Sequence, residues 1–253
     1  MKYIKHLIIL VGVVSLFSCA SNSFVAQNFN PHANKHIKTI NVVASAPLEE
    51  VPVTVRNHAG MSFGLIGAIV ASVDISDRTT TYNNALSPLK IEWQTELQSA
   101  LQQQLETAGY QVNTTEHNPS LLQKEGKHKL TPELFSSSDA VLFTNYSLRY
   151  MSAGMADAYQ PYVVVSATLY DSIENIVYTQ AFHYGFPEKS AEFLHITADT
   201  HYSFQKLSQL VDNIDSSVEG LKTGLVKIAE YIGQDLTPPS QTMSAPIAQT
   251  GSE

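Results

Sequence analysis

Three amphipathic strands in succession constrain this chain more than any other feature in it. The pattern predicts one strand from Ala140 to Tyr150, a second from Pro161 to Tyr170 and a third from Ile176 to His183. Asp171-Ser172-Ile173-Glu174-Asn175 supplies a hairpin turn between the last two. Side chains alternate across a strand, so Val163, Val165, Ala167 and Leu169 share one face, and Tyr162 and Tyr170 share the other. A meander with one apolar face must be covered. The cover is predicted on both sides of it in sequence. Ser87-Pro88 reads as an N-cap with proline at the first helical position, and Trp93, Leu97, Ala100, Leu101, Leu105 and Ala108 form the apolar stripe of the helix it opens. Gly109 is its expected stop. A long final helix is expected over residues 203–234, with Phe204, Leu207, Leu210, Val211, Ile214, Val218, Leu221, Leu225, Ile228 and Ile232 at 3–4 spacing.

Shorter elements complete the order. Thr39 to Ala44 alternates like a first strand, and Val51 to Val55 reads as an extended piece that Pro52 confines to an edge or a loop. Gly60 to Ile75 is an apolar stretch rich in small residues, Tyr110-Gln111-Val112 is a short strand, and Thr131-Pro132-Glu133 opens a short helical turn. The expected fold is α+β: a single, mostly antiparallel sheet with helices packed on one face.

The N-terminus has a different logic. Lys2 and Lys5 precede an apolar run from Leu7 to Phe17, which Ser18 and Cys19 close. The run is shorter than the roughly 20 apolar residues a membrane span needs, and its order is that of a secretory signal. Leu16-Phe17-Ser18-Cys19 resembles the lipobox of bacterial lipoprotein precursors. That resemblance implies a cleaved signal peptide over residues 1–18 and lipidation of Cys19, with palmitate-type acyl chains. It also implies a membrane anchor without a transmembrane helix. Ala20 stands where an aspartate would favour inner-membrane retention in that family, so the expected site is the outer membrane, facing the periplasm. Residues 19–37 read as a flexible tether, 38–236 as the α+β periplasmic domain and 237–253 as a disordered tail.

Cys19 is the only cysteine, so no intrachain disulfide, Cys-ligated zinc or thiol nucleophile is available to the domain. The formal charge of −8, without a basic cluster, argues against a nucleic-acid partner. The strand run Asp139 to Phe143, Val163 to Asp171 and Tyr178 to Phe182 resembles a recurring envelope module, the type found in the N-terminal domain of TolB and in the curli-secretion lipoprotein. This implies a non-enzymatic binding or scaffold domain for another envelope protein. It brings no catalytic residue with it, and no cofactor or metal is expected.

The candidate sites follow from residue chemistry. Met151, Gly154, Met155, Tyr159, Tyr162 and Tyr170 are the expected partner contacts, because a flexible methionine-bearing connection and amphipathic aromatics suit interfaces. Gly60-Met61-Ser62-Phe63-Gly64 matches the nucleophile-elbow pattern of α/β-hydrolases, which makes a serine hydrolase using Ser62, with Asp199 and His201 downstream, the rival reading. Too few residues precede it for the βα units such a fold requires. Gly60, Gly64, Gly67 and Ala71 put small residues one turn apart, which supports a third reading: self-association, or a possible homo-oligomer, through the Gly60–Ala71 segment. His195 and His201 stand six apart around Asp199, a spacing that brings them to one metal point neither on a helix nor on a strand.

Overall fold

The computed structural model describes residues 25–121, 128–187 and 193–238. A seven-stranded mixed sheet runs through them, in the order β3-β1-β4-β5-β6-β7 with β2 beside β4. The strands are β1 (Thr39–Val43), β2 (Val53–Asn57), β3 (Gln111–Thr115), β4 (Ala140–Gly154), β5 (Gln160–Asp171), β6 (Ile176–Gly185) and β7 (Leu194–Ile196). The two longest ladders, β4 with β5 and β5 with β6, are the antiparallel meander read from the sequence. The expected α+β class holds, and the expected turn is present, with the Asp171 carboxylate accepting the Ile173 and Asn175 backbone N–H groups at 3.0 and 2.8 Å.

The flanks of the sheet are parallel. β4 is long enough to carry two partners in tandem on one edge: β1 pairs with Ala140–Phe143 and β2 with Tyr150–Gly154. This leaves β2 at an edge, as Pro52 requires. β7 adds a short parallel strand beside β6 that the sequence pattern does not announce, because Leu194 and His195 are exposed and supply no apolar alternation.

Among the described residues four helices accompany the sheet: α1 (Gly64–Leu86), α2 (Trp93–Thr107), α3 (Leu207–Asp212) and α4 (Ile214–Asp235). The stripe of α2 is buried at Trp93, Leu97, Ala100, Leu101 and Leu105, and Gly109 ends it with φ +95°. The long final helix begins later than expected and is broken. Phe204 is extended and bridges Tyr159, and Asn213 (φ −112°, ψ 45°) separates α3 from α4. Even-numbered β4 residues Leu142, Tyr146, Leu148 and Tyr150 and odd-numbered β5 residues Val163, Val165, Ala167 and Leu169 form the core beneath α2 and α4. The opposite face holds a smaller cluster of Val43, Leu121, Leu134, Val141 and Phe143.

Helix α4 lies unusually close to the sheet. A Cβ on Gly224 would sit 2.6 Å from side-chain atoms of both Tyr184 and Val163, and one on Gly220 would sit 2.9 Å from the Tyr150 hydroxyl. The tyrosines of the meander explain the need. Tyr150, Tyr178 and Tyr184 point into the core, and their rings occupy space that smaller strand residues would have left to helix side chains. The hydroxyls of Tyr150 and Tyr178 find partners. Tyr150 donates to the Ser217 carbonyl at 2.9 Å, and Tyr178 to the Asp235 carboxylate at 3.0 Å.

The segment expected to be a tether is partly docked. Gln27 bridges Thr179, Phe29 packs against the core and Ile37 is buried. The residues from Gln27 on are thus packed on the domain and are not part of a free tether. The expected tail lies outside the described residues from position 239 on.

Replacing Gly224 with valine is expected to lower stability by about 2 kcal/mol through overpacking. The half-exposed neighbour Val226, replaced by alanine, should change it by under about 0.5 kcal/mol. Urea unfolding midpoints measure both, and equal midpoints would refute the close-approach account.

Candidate interaction surface

The end of the sheet where β2 and β4 finish together carries the most unusual surface of the molecule. Helix α1 runs antiparallel to β2 and is fastened along it. Asn83 Oδ1 accepts the Val51 N–H at 3.0 Å, Thr79 Oγ1 accepts the Val53 N–H at 3.1 Å, and His58 meets Asp74 at 3.1 Å. Ala71, Thr79, Tyr82 and Leu86 form its inward face. The Thr79-Thr80-Thr81 run and the mixture of small and polar inward residues hide this helix from a reading of apolar periodicity. Its first ten residues pass beyond the level of His58, a projection of about 15 Å at helical rise.

A charged network clamps the base of that projection. Asp74 Oδ2 accepts from Arg78 Nε at 2.6 Å and from His58 Nε2, and Arg78 Nη1 donates to the Tyr159 hydroxyl. The Gly60 backbone N–H donates to His58 Nδ1 at 3.0 Å. That bond fixes the tautomer with the proton on Nε2. The Arg78 hydrogen bond holds the Asp74 carboxyl below its ordinary range, against the opposing effect of burial. Burial raises the Tyr159 hydroxyl, and the Arg78 charge opposes the rise.

The network also decides what the Gly60–Gly64 pattern can do. Ser62 lies exposed in a 3-10 turn, Ala59–Phe63, that joins β2 to α1. The nearby histidine has both ring nitrogens engaged, one by the Gly60 N–H and one by Asp74, so His58 offers no free base. Asp199 uses Oδ1 to accept the backbone N–H of His201, capping the 3-10 turn Thr200–Tyr202. His195 sits on β7, and no group of three His, Cys, Asp or Glu side chains among the described residues is placed to hold a metal ion.

The small residues of the same segment are used inside the chain. A Cβ on Gly60 would lie 2.6 Å from the Gly67 carbonyl oxygen, and Gly67 and Ala71 are buried. The outward face is aliphatic instead: Ile66 is 79% exposed, Ile69 56%, Val70 58% and Val73 55%, which makes a continuous uncovered stripe. This corrects the expectation that small residues would be the contacting face.

The expected partner contacts separate. Gly154 and Met155 are at the β4–β5 hairpin tip, and Met155 is exposed. Tyr159 and Tyr162 are buried, at 4% and 5% exposure, so neither offers surface to a partner. Tyr159 is committed to Arg78. Tyr162 faces away from the helices as alternation requires, with the Arg149 guanidinium 5.4 Å above its ring. Met151 is half-buried. Tyr170 lies at the other end of the sheet, edge-on to Phe143 and His128, below a cleft of about 260 Å³ lined by Ser45, Thr144, Asn145, His117 and His128. Burial lowers the His128 pKa. Cys19 lies outside the described residues, and no helix among those residues is long and apolar enough to cross a membrane.

No protein-family model matches this sequence, and no curated protein matches it. Solved structures do match. The PelC dodecamer from Paraburkholderia phytofirmans aligns with a TM-score of 0.34 and 11% identity, covering 81% of this chain and 92% of that one. A Xanthomonas campestris protein of the DUF330 family aligns with a TM-score of 0.37 and 10% identity, covering 81% and 86%. At these scores neither bears on the chemistry, partners or assembly of this chain.

Because Asp74 titrates below its ordinary value of 3.8 in the folded protein, its contribution is complete above that value. It is lost as the pH falls through the lower folded value. Asp74→Asn should therefore cost about 1 kcal/mol near neutrality, and the gap to the unsubstituted protein should narrow below about pH 4. Denaturant titrations across that range measure it. A gap that does not change with pH would mean that the charge of Asp74 is irrelevant.

Proposed function

We propose that this protein is a lipid-anchored component of the bacterial cell envelope that acts as a non-catalytic binding or scaffold module. The reading rests first on Cys19, the only cysteine, which closes a secretory-type segment as a lipobox would. The periplasmic face of the outer membrane is the location this reading favours. Acylation supplies the anchor, since several chains buried at about 0.8 kcal/mol per CH₂ hold a protein stably. Confinement to a surface then raises the effective concentration of the domain for any partner within reach.

The observation that supports binding over catalysis is the commitment of polar groups at the α1 end. His58, Asp74, Arg78 and Tyr159 satisfy one another, and Ser62 stands outside their network. A hydrolase would need a nucleophile and base within hydrogen-bond reach and a third group orienting the base. Here the base is spent on structure.

Intact-mass and peptide analysis of the protein isolated from bacterial envelopes should find an acylated N-terminal cysteine at position 19. The modification should be lost in Cys19→Ala. Crosslinking in the same envelopes should give a discrete partner for the acylated form only. A serine-reactive phosphonate should leave Ser62 unlabelled. Labelling that disappears in Ser62→Ala would overturn the non-catalytic reading, and an unmodified N-terminus would overturn the anchor.

A further inference from the structure

We propose that the cleft of about 260 Å³ beside Phe143 and His128 binds a single uncharged sugar ring. This goes beyond the binding-module reading and does not depend on the anchor at Cys19.

The strands place the cleft. β1 and β3 run parallel and stop together: Val43 pairs with Thr115 on one side and with Phe143 on the other, and β4 continues past them as Thr144 and Asn145. The chain then leaves the two strands toward opposite faces of the sheet. After β1, Leu48 packs on the core beneath the helices; after β3, Leu121 joins the cluster on the far face. Divergence of this kind at the carboxyl ends of parallel strands opens a crevice, and such crevices are where open sheets bind ligands. Asn118 Oδ1 accepts the Ser120 N–H at 3.0 Å and starts the 3-10 turn Pro119–Leu121, and His117 lines the cleft just before that turn.

The polar groups of the cleft are neutral and largely unspent. No Asp, Glu, Lys or Arg is among the described residues that line it. Its most buried polar side chains are Ser45 and Thr144, at 5% and 9% exposure. The Ser45 hydroxyl donates to the Thr144 carbonyl at 2.9 Å. Across the 2.8 Å contact between the two hydroxyls Thr144 is therefore the donor, and lone pairs of Thr144 Oγ1 remain as acceptors. The His117 ring and the Asn145 amide have no hydrogen-bond partner among the described residues. Beside these groups stands an aromatic wall. His128 stacks on Phe143 with ring centroids 4.2 Å apart and planes 12° from parallel, and Tyr170 sits edge-on to both. Burial lowers the His128 pKa from 6.5, so that ring is uncharged at neutral pH.

The ligand class follows from this lining. A charged ligand would give up its hydration with no counter-charge to meet it. A wholly apolar one would leave the groups of Thr144 and Asn145 unmet. A metal ion finds no third His, Cys, Asp or Glu beside His117 and His128 among the described residues. A neutral sugar ring carries hydroxyls around its rim, each both donor and acceptor, and C–H groups on its faces. The rim suits the amide, imidazole and hydroxyl, and a face suits the aromatic wall. The volume lies just below the range of about 300–1,000 Å³ that holds drug-sized ligands, which limits the site to one ring.

The test is saturation-transfer NMR on the full chain, in a detergent without sugar headgroups. Glucose, galactose, mannose and N-acetylglucosamine are the neutral probes, and glucuronate and glucosamine in its ammonium form are the charged ones. The expected result is saturation transfer to at least one neutral sugar, several-fold stronger than to either charged one. Titrating that sugar should shift the ring C–H resonances of His117 and His128. Asn145→Leu and His117→Leu, at exposed and half-buried positions, should each weaken binding about tenfold with unchanged urea midpoints. Transfer to none of the neutral sugars overturns the proposal. So does a charged sugar bound as tightly as the neutral ones, or binding that leaves both histidine resonances unmoved. None of these results bears on acylation of Cys19, so the site and the anchor fail separately.

Discussion

Ser217 is the point at which the layers of this protein are tied together. It is wholly buried, on the first turn of α4. Its hydroxyl donates to the Ile214 carbonyl at 2.8 Å and so accepts from the Tyr82 hydroxyl at 2.9 Å, while its own carbonyl accepts from Tyr150 at 2.9 Å. One residue thereby joins α1, β4 and α4. Tyrosine fills such a core with a large ring and still brings a donor to its far end. An unmet hydroxyl in the core costs about 1–3 kcal/mol, and Tyr82 and Tyr150 both meet theirs on Ser217. Burial pushes the Tyr82 hydroxyl up to about 12, so it remains a donor throughout the physiological range. Gly220 follows from the same demand, since a Cβ there would meet the Tyr150 hydroxyl that Ser217 holds.

This explains which parts of the fold were legible in the sequence. The meander announced itself through β5, whose burial alternates along most of its length, although β4 over Ala140–Thr144 and β6 from Gln180 on are buried on both faces. Helix α2 did so too, since its inward residues are all apolar or alanine. Helix α1 did not. Its inward face is Ala71, Thr79, Tyr82 and Leu86, which interleaves small, polar and aromatic residues to suit β2 and Ser217, and its most apolar residues face outward. The final helix was legible as a stripe but not as two pieces. Phe204 and Leu207 keep the spacing by chance of position, although Phe204 is an extended residue bonded to Tyr159. The informative signal in that region was the small set Ser217, Gly220 and Gly224, spaced at 3 and 4. It marks a helix pressed onto bulky neighbours.

The candidate surface was half legible for a related reason. Tyrosine on a sheet reads equally well as interface or as core until the hydroxyl partners are known. Tyr159 and Tyr162 illustrate the two ways a tyrosine leaves the surface: the first by bonding Arg78, the second by lying beneath the Arg149 guanidinium. Met155 keeps its exposure at the hairpin tip. Within the Gly60–Ala71 segment, Gly67 and Ala71 belong to the inner face. Gly60 rests on the backbone of Gly67, and the exposed aliphatic residues lie on the other side.

That arrangement has a physical logic. A helix that extends past its strand with apolar residues outward is held there only by its small inner residues, Gly67 and Ala71, and burial of its own stripe cannot help in water. Its position must come from its base. The His58–Asp74–Arg78–Tyr159 chain lies at that base and uses charge-assisted hydrogen bonds, which are shorter and about twice as strong as neutral ones. These bonds are directional, so they fix the angle of the helix as well as its attachment. The Gly60–Gly67 contact adds a second strut from the 3-10 turn. A stripe held rigidly in this way loses little conformational entropy on meeting an apolar surface. The network that denies His58 a role in catalysis is therefore the same one that presents Ile66, Ile69, Val70 and Val73 in a fixed orientation.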